Sequence, residues 1–189
     1  FIANKNNSMN KSNLKNIFLD GENIYLKPLE INDIEGNYLK WLNDEDVVKY
    51  NSHGKFPLNT DRLRGYITSA KDSKDSIILA IIFKKEDIHV GNISLQSINW
   101  IDRKAEISFV LGEKLFWDKG IMFEAGTLLI KHAFKNLNLH RIYCGTSSQN
   151  IGMQKLASKL GMIKEGERKE SIYNNGKFYS IFEYGILNK

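Results

Sequence analysis

Apolar residues recur along this chain with two spacings, and the spacing separates the predicted strands from the predicted helices. The range 77–83 is a continuous apolar run of strand length, which predicts a central strand buried on both faces. Short apolar or alternating runs predict six more strands: 24–29, 88–100, 104–111, 141–145, 162–173 and 178–187. A sheet is therefore expected at the centre of the fold.

Helical spacing is clearest after residue 120. Five residues there share one face of a predicted helix that ends near residue 137, at i, i+4, i+7, i+8 and i+11: Ile121, Ala125, Leu128, Leu129 and His132. Another helix is predicted to follow Asn150, whose side chain can cap it, and to stop at Gly161. Shorter helices are predicted over 34–42, 44–50 and 60–70.

The order of these elements predicts one α/β (α+β) domain. Antiparallel strands come first and βαβ units later, which favours a mixed, mostly antiparallel seven-stranded sheet with helices on both faces. Residues 1–20 are rich in Asn, Lys and Ser and are expected to form a flexible tail, with the domain spanning 21–189. The chain starts with Phe, so Met9 is a candidate for the natural start.

Composition narrows the classes of partner. The chain is 42% hydrophobic, has no apolar run of membrane-spanning length, and its single cysteine, Cys144, cannot form an internal disulfide, so a cytoplasmic setting is expected. The net charge of +5 favours anionic partners such as phosphorylated cofactors. This charge is spread along the chain, so a nucleic-acid partner is not indicated. The His residues are scattered and form no cluster with the spacing of metal ligands, so no metal site is predicted.

A turn carrying Lys119 and Gly120 joins the strand at 104–111 to the following helix. The amides of the first helical turn have no partner within the helix, and the helix dipole adds partial positive charge there. Such a turn can bind a phosphate, although many α/β turns contain the same residues.

Four segments together resemble the GNAT superfamily of acyl-CoA-dependent N-acetyltransferases, and most closely its RimJ/RimL-type branch, the ribosomal-protein-alanine acetyltransferases. The resemblance spans about 21–187 and rests on 26–29, 105–112, 117–125 and 150–166. It implies a GNAT-like fold and acetyl-CoA as co-substrate. It leaves open whether the protein forms a homodimer.

The family's pyrophosphate loop, (Gln/Arg)-x-x-Gly-x-(Gly/Ala), falls on six residues, which the resemblance implies as cofactor-binding: Trp117, Asp118, Lys119, Gly120, Ile121 and Met122. Gly120 matches the pattern. Met122 replaces a small residue where the backbone approaches the pyrophosphate, so its side chain must point into the core.

The resemblance also implies how the reaction is catalysed. A backbone N–H near Phe109, Val110 or Leu111 would polarise the thioester carbonyl. Asn150 would contact the pantetheine arm of CoA while capping its helix. Glu106 is the candidate general base, and its alternative role is a structural carboxylate paired with Arg103 or Lys104.

The general acid is not identified by the sequence. Ala157 and Met153 stand where family members carry a Tyr or a Ser hydroxyl. Replacement donors are Cys144, Ser147, Ser148 or Tyr173, or water.

The expected function is transfer of acetyl from acetyl-CoA to a primary amine, either a protein N-terminus or a small amine such as an amino sugar. The missing hydroxyls keep a second hypothesis open, a non-catalytic GNAT-fold module that binds CoA or a partner.

Overall fold

Eight strands form a single sheet in the computed structural model, which describes residues 16–51 and 55–189. Their bounds are β1 Leu19–Asp20, β2 Ile24–Pro28, β3 Ile77–Phe83, β4 Ile88–Asn99, β5 Lys104–Leu111, β6 Arg141–Ser147, β7 Ile163–Asn174 and β8 Lys177–Leu187. The spatial order is β1-β2-β3-β4-β5-β6-β8-β7, and only β5 and β6 pair in parallel. The predicted mixed, mostly antiparallel sheet is confirmed.

The predicted count of seven strands was one too low. The additional strand, β1, pairs Leu19 with Leu26 and Asp20 with Tyr25. Two residues are too short to show any periodicity, and they fall inside the stretch 1–20 that was predicted to be a tail. Residues 1–15 of that stretch, which include Met9, lie outside the described part of the chain. His53 and Gly54, in the loop after the helix predicted over 44–50, lie outside it as well.

Five α-helices accompany the sheet in the described ranges: α1 Tyr38–Leu42, α2 Glu45–Val48, α3 Thr60–Lys71, α4 Ile121–Lys135 and α5 Ile151–Lys159. Two 3-10 helices lie at Ile31–Glu35 and Lys114–Phe116. The predicted helix over 34–42 is thus two shorter pieces, because the chain leaves helical geometry at Gly36 (φ −82°, ψ −146°). Gly161 ends α5 with a φ of +83°, as predicted.

The core lies on both faces of the sheet. In β3, Leu79 and Ile81 face the apolar cluster that α4 and α5 cover, whereas Ala80 and Ile82 belong to a cluster on the opposite face. This strand is buried on both sides, which explains why it lacks polar alternation. A separate cluster joins α1 to α3 through Trp41, Leu63 and their neighbours.

The parallel strands β5 and β6 separate after a short paired segment. Their register ends with Glu106 opposite Tyr143. Beyond this pair β5 continues against β4 as far as Leu111, and β6 continues against β8 as far as Ser147. The result is a wedge-shaped opening in the middle of the sheet, bordered by backbone that has lost one of its two neighbouring strands.

Glu124 connects the N-terminal turn of α4 to the start of β2 through hydrogen bonds. Its Oε1 accepts hydrogen bonds from Asn23 N at 2.9 Å and Ile24 N at 3.4 Å, and its Oε2 accepts one from Asn23 Nδ2 at 3.2 Å.

We expect Glu124→Ala to lower the free energy of unfolding by about 1–3 kcal/mol, because it removes acceptors from two backbone amides. Urea denaturation measures this loss. The exposed Glu22→Ala is the control and should change stability by less than about 0.5 kcal/mol; equal effects for the two would contradict the assignment.

Candidate active site

The turn between β5 and α4 presents unpaired backbone amides. Gly120 occupies the position before the helix with φ +80° and ψ 0°, a left-handed conformation that glycine adopts without strain. The first helical hydrogen bond at this end is donated by Glu124 N to Gly120 O, at 3.1 Å. The amides of Ile121, Met122 and Phe123 therefore precede the helical ladder and remain available to an anion.

A cavity of about 570 Å³ opens beside this turn. It is bordered by α2, the end of β5, the turn before α4 and the start of α5. Its lining comprises Asp46, Lys49, Tyr50, Phe109, Leu111, Phe116, Trp117, Asp118, Gly120, Ile121, Met122, Phe123, Asn150, Gly152, Met153, Leu156 and Lys159. Of the predicted cofactor-binding residues, all but Val110 and Lys119 are in this set.

Two of the lining residues hold the backbone around the cavity. The Trp117 indole Nε1 donates to Leu111 O at 3.0 Å, which fixes the turn against the end of β5. Asn150 Oδ1 accepts from Met153 N at 3.0 Å and so caps α5 as predicted. Because the cap uses Oδ1, the Asn150 side chain retains its Nδ2 donor at the cavity wall.

The side chain of Met122, which replaces a small residue of the family pattern, points into the core as that replacement requires. Its side chain packs against the main apolar cluster, and its Cε comes within 3.3 Å of the position that a Cβ on Gly91 would occupy. The long side chain therefore lies under the sheet. Its backbone amide remains at the turn, where the pattern requires close approach.

The register of β4 with β5 decides which amides of β5 face the opening. Gly112 N donates to Val90 O at 3.0 Å, and these two residues are directly opposite in the antiparallel pair. Hydrogen-bonded and non-hydrogen-bonded pairs alternate, so Val110 also bonds to β4, whereas the amides of Phe109 and Leu111 point away from it. Of the three predicted donors, the register thus favours Phe109 and Leu111 over Val110.

Glu106 lies half-buried on β5, opposite Gln96 of β4. The alternative role as a partner of Arg103 or Lys104 finds no support: Lys104 pairs with Asp102 at 2.7 Å, and Arg103 Nε donates to Asn138 O at 2.7 Å. Glu106 shares its face of the strand with Ser108, two residues nearer the opening.

The cations near the cavity differ from those expected. Lys119 Nζ lies 5.3 Å from the centroid of the Phe116 ring and does not line the cavity. Lys159, which looks from its i, i+4 spacing with Lys155 like part of a solvated face, lies 4.4 Å over the Phe123 ring at the cavity wall. Lys49, the residue that follows α2, also lines the cavity. The short helix α2 gave too weak a pattern for its side chains to be placed from sequence.

A lysine of the 3-10 helix Lys114–Phe116, which lies between β5 and α4, holds α2 at the cavity wall. Lys114 Nζ lies 3.0 Å from Asp44 Oδ2 and 2.6 Å from Asp46 Oδ2. These hydrogen bonds lower the pKa of Asp44 and raise the pKa of Lys114. They connect α2 to the segment that leads into the turn before α4, so the two walls of the cavity are joined.

Two of the candidate replacement acids are buried. Cys144 is 3% exposed with its Sγ 3.9 Å from Met162 Sδ, and Ser147 is 5% exposed. Burial, with a smaller contribution from the charge of Glu106, raises the pKa of Cys144 to about 12. The rings of Tyr173 and Phe178 contact each other at a tilt of 59°, with their centroids 5.0 Å apart. Among the residues that the structure describes, Tyr50 is the phenol that lines the cavity.

A second, smaller cavity of about 200 Å³ lies across the sheet from the first. Its lining comprises Tyr38, Leu42, Asn51, Tyr66, Ile78, Asn92, Ile93, Ser94, Gln96, Ser108, Phe109 and Val110. Phe109 borders both cavities. A molecule in the second cavity could therefore approach a group bound in the first at the point where β5 separates from β6.

Neither a metal centre nor a membrane span is found in residues 16–51 and 55–189. No group of three or more His, Cys, Asp and Glu side chains there could hold a metal ion. No helix in those ranges is long and apolar enough to cross a membrane.

Known protein sequences match this chain over most of its length. Residues 23–163 match the model of the family described as acetyltransferase (GNAT) domain. The chain is 29% identical over 177 residues to "Probable N-acetyltransferase YjcK" of Bacillus subtilis, covering 90% of this chain and 97% of that protein. It is 28% identical over 98 residues to a spermidine N(1)-acetyltransferase of Vibrio cholerae, covering 52% of this chain and 56% of that protein.

Solved structures agree at the level of the fold. A GNAT-family acetyltransferase from Bacillus anthracis superimposes with a TM-score of 0.78 at 26% identity, covering 90% of this chain and 98% of that chain. The RimL ribosomal L7/L12 α-N-protein acetyltransferase, solved with coenzyme A, gives a TM-score of 0.81 at 15% identity, covering 90% and 97%. At that identity the second comparison concerns the fold alone.

Proposed function

Because the chain belongs to the GNAT acetyltransferase family and is an acyl-CoA-dependent N-acetyltransferase, we propose that it acetylates a primary amine by direct attack of the neutral amine on the thioester of acetyl-CoA. One observation carries the proposal: the free amides before α4 and the free amides of β5 border the same cavity. A phosphate-binding group and a carbonyl-polarising group are thus placed along one path.

The residues fit CoA along this path. The pyrophosphate would bind the amides of Ile121, Met122 and Phe123, where Gly120 leaves space because a Cβ there would meet nothing within 4 Å. Lys159 is the described cation best placed to add charge. Asn150 would donate its Nδ2 to the pantetheine arm, and Phe109 or Leu111 would donate its amide to the thioester oxygen.

Acetyl-CoA supplies the activated carbonyl, and the protein must supply a neutral amine and stabilise the charge that develops. An α-amine with a pKa of about 7.7–8.0 costs only about 1 kcal/mol to deprotonate at pH 7, whereas a lysine-like amine with a pKa near 10.4 costs about 4–5 kcal/mol. A weak base therefore suffices for a protein N-terminus. An amino sugar is the alternative acceptor.

Glu106 is the base in this proposal, and its removal should show in the pH profile. We expect Glu106→Gln to lower kcat/KM for an α-amine by about 100-fold below pH 8, the lower end of what general-base catalysis contributes. The deficit should shrink above pH 8, because the α-amine is then already neutral. The measurement is CoA release as a function of pH.

The exposed Glu22→Gln serves as the matched control for the loss of one carboxylate. Its profile should coincide with that of the unaltered protein. A Glu106→Gln profile that also coincides would remove Glu106 from the mechanism, and calorimetric titration with CoA would show whether cofactor binding is intact.

One feature favours a second candidate, a GNAT-fold module that binds CoA without turnover. Ala157 and Met153 put no hydroxyl at the two positions where family members place an acid. We favour catalysis because a thiolate is a good leaving group that water can protonate, and because Tyr50 brings a phenol to the cavity wall.

A further inference from the structure

Asn92, on β4, carries a buried hydrogen-bond donor without a partner. The side chain is 5% exposed and lines the second cavity, and its Nδ2 makes no hydrogen bond within the described part of the chain. An unsatisfied buried donor costs free energy, and buried amides are nearly always bonded. The position therefore invites a ligand atom.

The neighbouring His89 fixes which end of the Asn92 amide is free. His89 Nε2 lies 3.0 Å from Gly91 O and 2.9 Å from Asn92 Oδ1. A carbonyl oxygen can only accept, so Nε2 must carry the proton and Asn92 must present its oxygen to it. Burial lowers the pKa of His89, which favours the neutral form of the ring. The unpartnered atom of Asn92 is thus a donor.

The rest of the second cavity combines apolar and polar side chains and carries no charged one among the described residues. Two phenols, two carboxamides besides that of Asn92, and two hydroxyls contribute to its lining: Tyr38, Tyr66, Asn51, Gln96, Ser94 and Ser108. No Asp, Glu, Lys or Arg is among the described residues that line it. Glu106, on the same face of β5 as Ser108, is not among them, and as the base it would face one amine. A polyamine would leave its other positive charges without a counter-charge in this cavity.

Resting on the proposed function, we propose that the Asn92 carboxamide selects the acceptor by donating to a neutral oxygen near its amine. An oxygen three bonds from the nitrogen occurs both in an N-terminal residue, as the carbonyl, and in an amino sugar, as a hydroxyl. Polyamines lack it. The substrate class is therefore a primary amine with an adjacent carbonyl or hydroxyl oxygen, and Asn92 is a specificity-determining residue.

The test compares matched amines on four proteins: the unaltered protein and the variants Asn92→Asp, Asn92→Leu and Asn99→Asp. Alaninamide carries a carboxamide where isopropylamine has a methyl group. Glucosamine carries hydroxyls, a hydroxymethyl group and a ring oxygen that cyclohexylamine lacks, and spermidine represents polyamines. The ratio of kcat/KM within each pair should fall roughly tenfold or more in Asn92→Asp, the value expected for one lost hydrogen bond. Differences in amine pKa cancel because each ratio is compared between proteins. The pair that falls identifies the source of the oxygen.

Asn92→Asp keeps the acceptor for His89 while removing the donor, so the protein should still fold. Its new negative charge should raise the relative rate with spermidine. Asn92→Leu removes the donor without adding charge and should lower the same ratios. Asn99→Asp makes the identical change seven residues along β4, beyond the cavity, and should leave every ratio unchanged.

Three results would overturn the inference. One is a set of ratios unchanged in both Asn92 variants. Another is a native protein that prefers spermidine to both oxygen-bearing amines. The last is absence of CoA release with every amine, which would contradict the proposed function itself and is thereby distinguished from the first two.

Discussion

Replacing Gly120 by glutamate is expected to weaken acetyl-CoA binding by about a hundredfold or more. The residue precedes α4 with φ +80° and lines the large cavity, and a side chain there would extend into open space. A carboxylate at a helix N-terminus interacts favourably with the free amides. The introduced carboxylate would therefore occupy the site that the pyrophosphate needs and repel the phosphates, while the helix itself stays folded. Isothermal titration with CoA measures the loss.

Two variants separate charge from backbone strain. Gly120→Ala adds only a Cβ at positive φ, which costs about 1–2 kcal/mol of stability but leaves the amides free. Gly176→Glu adds the same charge at the same φ of +80° in the β7–β8 turn, where a Cβ also meets nothing within 4 Å. Both should bind CoA within about threefold of the unaltered protein. Binding by Gly120→Glu at that level would refute the assignment of the turn.

Gly112→Ala should destabilise the fold by about 3 kcal/mol, the upper end for inserting a methyl group into a packed core. A Cβ on Gly112 would overlap the ring of Trp41. That ring is 4% exposed, its Nε1 donates to Glu113 Oε1 at 3.0 Å, and it packs edge-on against His89 at 4.9 Å. Because these contacts fix the ring, it cannot yield without losing partners. Urea denaturation measures the change.

The opposite sign is expected for Gly65→Ala. Gly65 lies inside α3, and a Cβ there would meet nothing within 4 Å. The substitution should stabilise the protein by about 0.5–1 kcal/mol, because glycine in a helix interior is entropically unfavourable. Equal stability of the Gly112→Ala and Gly65→Ala proteins would contradict the packing described at the end of β5.

The sequence predicted those parts of the fold whose signal is local. The apolar run of β3, the stripe along α4 and the stop at Gly161 lie where expected, because periodicity and a left-handed glycine act over a few residues. The turn at Gly120 was located for the same reason. The two-residue strand β1 was missed because pairing with β2, and not its own pattern, defines it.

The parts of the site that depend on tertiary placement could not be predicted. The part of the cavity wall that α2 supplies depends on the ion pairs by which Lys114 holds α2 beside the turn. The choice of Phe109 and Leu111 over Val110 depends on strand register. The free donor of Asn92 depends on a hydrogen bond from His89, three residues away on the same strand. In a single sequence these residues look like ordinary strand and loop positions.

Acetyl transfer from acetyl-CoA to a primary amine is the reaction that we propose for this protein. To test it, the purified protein is incubated with acetyl-CoA and a panel of amines, including an N-terminal peptide, alaninamide and glucosamine. Released CoA thiol and the mass of the amine are followed together. We expect enzyme-dependent CoA release matched by the addition of one acetyl group to at least one amine. Tight CoA binding in calorimetry with no acetylated product from any amine would contradict it and favour the non-catalytic module.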